Sequence, residues 1–127
     1  MYIAHTRVWR QAVHLRGTVA IVHGYGECSD IHLENAIQLA LNGFDVQLID
    51  LRGYGLSGGF RMSLNRIHDY HFDVTALLLQ CSPDLPLYLY GHSMGGLTIM
   101  SYLLNNPNLN ISGVVLSAPF LQFSESK

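Results

Sequence analysis

Apolar residues along the chain fall into two kinds of run that take turns, short continuous blocks and longer stretches with helical spacing. The continuous blocks are Thr18 to Val22, Phe44 to Asp50, Leu87 to Tyr90 and Ile111 to Leu116, with Arg7 to Ala12 as a shorter candidate before them. Blocks without a polar face are what strands covered on both sides of a sheet require. Between them Leu33, Ala36, Ile37, Ala40 and Leu41 recur at helical spacing, with Ser29 or Asp30 as the N-cap and Asn42-Gly43 as the stop. Ile67, Tyr70, Val74, Leu77, Leu78 and Cys81 repeat the pattern up to Pro83, and Leu97, Met100, Ser101 and Leu104 do so up to Asn105-Asn106-Pro107. Strand and helix alternate, which predicts βαβ units with right-handed crossovers. The expected fold is α/β, a doubly wound, mostly parallel sheet with helices on both faces.

Apolar residues make up 49% of the chain and charged ones only 13%, well below the ~25% charged of an average domain, so much of the chain must be covered. The 127 residues form one domain by size, without repeats, linkers or low-complexity tracts. A formal charge of −2 and the lack of a basic stripe argue against a nucleic-acid partner. The start Met1 to Arg7 lacks a basic end followed by an apolar core, and no apolar stretch approaches the ~20 residues of a membrane span, so a cytoplasmic location is expected. Cys28 and Cys81 lack C-x-x-C spacing and are expected as free thiols. Cys28 either lines a pocket mouth or, as cysteines more often do, packs as a small buried side chain. His68 and His71 with Asp69 and Asp73 read as a solvated helix face, because an open zinc site needs a third ligand in register. No metal and no cofactor are assigned.

Candidate chemistry centres on Tyr90-Gly91-His92-Ser93-Met94-Gly95-Gly96, which fits G-x-S-x-G directly after an apolar block and directly before a helical stretch. A serine hydroxyl attacks an acyl carbon well only where it protrudes into a pocket. The chain should therefore turn sharply at Ser93, with Gly91 and Gly95 leaving room against neighbouring backbone. A plain glycine turn would carry the same letters, but the flanks favour a nucleophile elbow with Ser93 as the nucleophile. The Met94 N–H then lies at a helix N-terminus, where free N–H groups and the dipole favour an anion, and is a candidate oxyanion donor. Upstream, Val19 to Val22 runs into His23-Gly24-Tyr25-Gly26-Glu27, a buried strand followed by a loop whose Gly24 and Gly26 allow backbone N–H groups to be exposed.

A third motif, Ile49-Asp50-Leu51-Arg52-Gly53-Tyr54-Gly55-Leu56-Ser57-Gly58-Gly59-Phe60-Arg61, completes a set in fixed order. The three together resemble the α/β-hydrolase superfamily, specifically its monoacylglycerol lipase and lysophospholipase group, over roughly residues 7 to 120. Tyr54, Gly58 and Cys28 depart from the group's usual His, Glu and His. The resemblance implies that the His23-Gly24 loop meets the elbow, that the Tyr25 N–H is the second oxyanion donor, and that the substrate is a small-molecule acyl ester, lipid in type, with lysophospholipid, thioester and small amide substrates and peripheral membrane contact left open. On its own, the stretch from Asp50 to Arg61 reads only as a glycine-rich packing turn.

What is missing matters as much. The superfamily order is nucleophile, acid, histidine, yet after Ser93 the sequence holds Glu125 as its sole acid and no histidine. The triad acid and base are therefore unassigned, and the stretch 1–127 looks like an N-terminal half, a partial hydrolase domain without cap or C-terminal strands. Upstream, His92 reads as a packing residue because an elbow turns consecutive side chains apart, and His23 reads as structural. Two functions of different class follow: a serine ester hydrolase acting through an acyl-enzyme on Ser93, incomplete as it stands, or a non-catalytic subunit that kept the elbow and lost the rest. The strand Ile111 to Leu116, interior in the resembled fold, would become a sheet edge, so self-association or a covering partner chain is expected.

Overall fold

The computed structural model describes residues 2–8, 14–63 and 66–121. In chain order it places strand β1 at His5–Val8, β2 at Gly17–Val22, a 3₁₀ turn at Ser29–His32, helix α1 at Leu33–Leu41 and β3 at Phe44–Ile49. Helix α2 follows at Asp69–Leu79, then β4 at Leu87–His92, α3 at Met94–Asn105 and β5 at Gly113–Ser117. The strands form one sheet in the order β1-β3-β2-β4-β5. β3, β2, β4 and β5 run parallel, and β1 pairs antiparallel with β3.

Strand alternation divides the core between two faces. Ala20, Val22, Ile49 and Leu89 pack against Tyr70, Val74 and Leu77 of α2 and Ile99 and Tyr102 of α3. Val19, Ile21, Val46 and Leu48 point the other way, onto Ala36 and Ala40 of α1. Every residue of β2 is buried, which is why its sequence shows no polar alternation.

Several expectations need correction at their edges. Neither Ser29 nor Asp30 caps α1: both lie inside the 3₁₀ turn, and His32 occupies the cap position without a side-chain cap. Helix α3 begins at Met94, earlier than the apolar spacing shows, because Gly95 and Gly96 add helix without adding apolar side chains. β1 starts at His5 rather than Arg7, and the rest of that predicted strand, 9–12, lies outside the described residues. β5 is Gly113–Ser117 rather than Ile111 to Leu116.

Two buried acids tie sequence-distant elements together. Asp45 of β3 accepts from Arg7 Nε and Nη2 of β1, both at 2.8 Å, and this pairing raises the guanidinium pKa. Asp73 of α2 accepts from Arg52 Nη2 at 2.8 Å and from the Arg52 backbone N–H at 2.9 Å. Asp73 is fully buried, which corrects its reading as part of a solvated face. It fastens the loop after β3 to α2, while its neighbour His71 is bonded through Nε2 to Ser101 Oγ of α3 at 2.9 Å.

Candidate active site

The loops that follow β2, β3 and β4 leave the sheet at the same end, where parallel strands place their ligand sites. Ser93 links β4 to α3 at φ 53° and ψ −117°. A non-glycine residue in that region carries strain of order 1–3 kcal/mol, tolerated only where the surroundings over-determine it. The surroundings do so: the Ser93 N–H donates to the Ser117 carbonyl at 2.9 Å, and the Ser93 carbonyl accepts from Gly96 at 3.0 Å and Phe120 at 3.1 Å.

The flanking glycines are required by space. A Cβ on Gly91 would stand 2.7 Å from the Gly95 carbonyl oxygen, and one on Gly95 would stand 2.1 Å from that of Val22. Gly24 brings the second loop to the first, since a Cβ there would lie 3.1 Å from Ser93 Cβ. Gly26 turns the same loop at φ 73°. Between these positions lies Tyr25. Among the described residues, neither the Tyr25 nor the Met94 N–H meets a protein acceptor.

Behind this junction a single carboxylate joins three segments. Glu27 Oε2 lies 2.8 Å from His32 Nε2, and Glu27 Oε1 lies 3.3 Å from His92 Nε2. The other nitrogen of His92, Nδ1, is 3.2 Å from Ser117 Oγ. The loop after β2, the 3₁₀ turn, the last residue of β4 and the end of β5 are thus linked around Ser93. His92 is a connecting residue with both nitrogens engaged.

His23 is held differently. Its Nε2 accepts from the Leu51 N–H at 3.0 Å, so its Nδ1 carries the proton and donates to the Gly24 carbonyl at 2.8 Å. Burial lowers its pKa below the ordinary imidazole value, outweighing the bond to Gly24. Fixed as one neutral tautomer with both nitrogens used, His23 braces the β2 loop against the β3 loop and has no lone pair left to take a proton from Ser93.

The loop after β3 is organised by Asp50. Its Oδ1 accepts from the Ser29 N–H at 2.8 Å and its Oδ2 from the Leu56 N–H at 3.0 Å. Burial alone would raise this carboxyl, but the N–H donors prevail and hold it below the usual range. Gly55, at φ 49°, passes so close that a Cβ would meet Asp50 Oδ2 at 2.4 Å. Ser57 Oγ donates to the Asp50 carbonyl and accepts from the Ala4 N–H at 2.8 Å. Arg61 donates to the carbonyls of Gly55 and Ser57. The third motif is a scaffold: Asp50 and Arg61 are spent on backbone, and Arg52 on Asp73.

A cavity of about 300 Å³ opens between the loops after β2 and β3, lined among others by Gly26, Cys28, Ile31, Tyr54 and Met62. Cys28 is a free, half-buried thiol at this cavity rather than a packed core side chain. Cys81 is also free, and burial pushes its thiol up to about 11. Among the described residues no group of three or more His, Cys, Asp or Glu could hold a metal ion, and no helix is long and apolar enough to cross a membrane.

The two titrations share a sign. The folded His23 has a pKa below the unfolded value of ~6.5, so the unfolded chain binds a proton first as pH falls, and stability should drop below about pH 6.5, at up to about 1.4 kcal/mol per pH unit. Asp50, also lowered, adds a second loss below about pH 4. We expect nitrogen NMR to show the His23 ring mostly in the neutral Nδ1–H form at about pH 6.5, where the unfolded ring is half protonated. A His23 ring that titrates at the unfolded value would contradict this account.

A strained serine between a parallel strand and a helix, faced by a glycine loop from the neighbouring strand, on a mostly parallel sheet with helices on both faces, defines an α/β-hydrolase fold. The family model described as serine aminopeptidase, S33 matches residues 13–127, and the chain belongs to that family. It is 34% identical to a monoacylglycerol lipase of Mycolicibacterium smegmatis, over 88% of this chain and 41% of that protein. It is 32% identical to a monoglyceride lipase of Saccharomyces cerevisiae, over 84% of this chain and 36% of that protein. The crystal structure of Paleococcus ferrophilus monoacylglycerol lipase matches 100% of this chain and 47% of its own at a TM-score of 0.83 and 30% identity. The chain thus spans less than half the length of each of these relatives.

Of the residues expected at the site, Ser93, Met94, Gly91 and Gly95 lie together at the turn from β4 to α3 and Gly24 packs against Ser93, with Tyr25 and Gly26 next along the same loop. Sequence reasoning missed the pairing of Glu27 with His32 and His92, whose only sequence signal was a glutamate after the glycine loop.

Proposed function

We propose that Ser93 is the nucleophile of an ester hydrolase acting on lipid acyl esters of the monoacylglycerol kind. The observation that carries this reading is the strained Ser93 backbone, φ 53°, held against Gly24 of the facing loop. In the reaction Ser93 Oγ attacks the acyl carbonyl carbon while its proton passes to a base. The carbonyl oxygen becomes an anion that the Met94 and Tyr25 N–H groups stabilise, each worth about 3 kcal/mol. The ester C–O bond then breaks, the alcohol leaves with a proton, and the acyl group stays on Ser93. Water repeats the sequence on the acyl-enzyme and releases the fatty acid. The acyl-ester substrate class is supported by the names of the relatives.

Neither His23 nor His92 is free to act as the base, since each has both nitrogens engaged. That feature also favours the second reading, a subunit that binds without catalysing. A fluorophosphonate probe separates them. The first reading expects slow labelling that Ser93→Ala abolishes, whereas labelling that persists in Ser93→Ala dismisses Ser93 as the nucleophile.

A further inference from the structure

The middle of the loop after β2 is weakly held by its own backbone. Its ends are tied, the Gly24 carbonyl to His23 and the Glu27 carboxylate to His32 and His92, but Tyr25 makes no backbone hydrogen bond among the described residues. The bond that closes the turn, from the Glu27 N–H to the Gly24 carbonyl, is long at 3.3 Å. Glycines on both sides of Tyr25 leave its peptide groups free to rotate. Behind the loop lies the cavity of about 300 Å³, bordered by Gly26 and Cys28 on one side and by Gly53, Tyr54 and Gly55 on the other. The loop overhangs open space, so a backbone donor there needs support from another element.

The Tyr54 ring supplies that support. Although it belongs to a glycine-rich loop, Tyr54 is only 3% exposed. Its ring meets His23 edge to face at a centroid distance of 5.1 Å and Tyr25 at 6.3 Å, both within the range in which such pairs attract. Tyr54 is itself fixed: its N–H donates to the Leu51 carbonyl at 2.9 Å, and its carbonyl accepts from the Ser57 N–H at 3.0 Å. Leu56 and Ser57 are bonded in turn to Asp50. A rigid loop thus props a loose one. The ring makes the contact and the hydroxyl does not: the Gly26 N–H and the Tyr70 hydroxyl are its polar neighbours, yet it is in hydrogen-bond geometry with no group among the described residues.

We propose that Tyr54 is a positioning residue for the second oxyanion donor: wedged between His23 and Tyr25, its ring sets the direction of the Tyr25 N–H. The inference rests on the reading of Ser93 as nucleophile and of the Tyr25 N–H as a donor to the oxyanion. It gives the third motif a part in the reaction that Asp50, Arg52 and Arg61, all spent on the scaffold, do not have. Tyr54 stands where the resembled group usually has a His, so the prop belongs to this sequence.

The test follows phosphonylation of Ser93 by the fluorophosphonate probe. Tyr54→Leu removes the prop, and Tyr25→Ala removes the ring that rests on it while keeping the N–H. Each should slow labelling at least about tenfold, short of the about hundredfold or more that goes with outright loss of one donor. Tyr54→Phe keeps the ring and should restore the parent rate. Val74→Ala, a cut on α2 in the same core cluster, should lower the urea midpoint without slowing the labelling, which separates positioning from stability. Should Tyr54→Leu fail to fold, Tyr25→Ala decides, because the Tyr25 side chain is 58% exposed and lies outside the core. An unchanged rate in Tyr25→Ala, a slow Tyr54→Phe, or an equal slowing in Val74→Ala would overturn the proposal. Labelling that persists in Ser93→Ala would overturn the nucleophile and this proposal with it, whereas labelling confined to Ser93 yet indifferent to both rings would overturn the positioning role alone.

Discussion

A Gly95→Ala chain should not reach the native fold. The added carbon would stand 2.1 Å from the Val22 carbonyl oxygen, 2.5 Å from that of His23 and 2.8 Å from the Val22 carbonyl carbon. All three are backbone atoms of the central strand β2 and its exit, so no side chain can swing aside. Relief requires the first turn of α3 to lift off the sheet, which separates Ile99 and Tyr102 from Val22 and breaks the cluster on that face. Overpacking of a core ordinarily costs about 1–3 kcal/mol, and a clash with fixed backbone exceeds that. Against the ~5–15 kcal/mol total of a small domain, the expected result is insoluble protein or loss of the cooperative urea transition. Gly26→Ala is the contrast. Its Cβ would meet only Met62 Cε, at 3.9 Å, so the cost is that of a positive φ, about 1–2 kcal/mol, and the fold survives. An unchanged urea midpoint for Gly95→Ala would show that α3 does not cross β2 as closely as described.

The second large effect is on turnover. The chain alone should hydrolyse a short-chain ester at least about 10⁴-fold more slowly than a complete serine hydrolase, the scale on which triad losses fall. The reason is specific to the site: His23 Nε2 is occupied by the Leu51 N–H, and His92 is shared between Glu27 and Ser117. On the proposed reading, the residual rate comes from the Met94 and Tyr25 N–H groups and from binding. Fast turnover by residues 1–127 that disappears in His23→Gln would place the base at His23 and contradict the tautomer assigned here.

The fold was readable to the extent that its signals are local. The continuous apolar blocks mark β2 and β3 because those strands are covered on both faces, β4 and β5 carry similar blocks with less cover, and the elbow announces itself because strand, glycines, serine and helix are consecutive. The direction of β1 was not readable, since its antiparallel pairing with β3, and the ion pair of Arg7 with Asp45 beside it, join residues about 40 positions apart. Asp73 was misread for the same reason: its helix face carries histidines and an acid that look solvated, and only the loop bearing Arg52 buries it. The Glu27 pairing with His32 and His92 escaped notice because its members belong to separate segments that meet only when the sheet forms. Cys28 could not be decided between a pocket mouth and core packing, because a cavity between two loops leaves no periodicity in either.

A nucleophilic Ser93 must accept an acyl group. Incubating the chain with an activated acetyl ester and mapping the product by peptide mass spectrometry tests this directly. The expected result is a single acetyl group on the peptide bearing Ser93, slow to form, absent in Ser93→Ala, and removed by hydroxylamine as an ester should be. Acetyl groups spread over other side chains with the Ser93 peptide unmodified, or an unchanged pattern in Ser93→Ala, would contradict it.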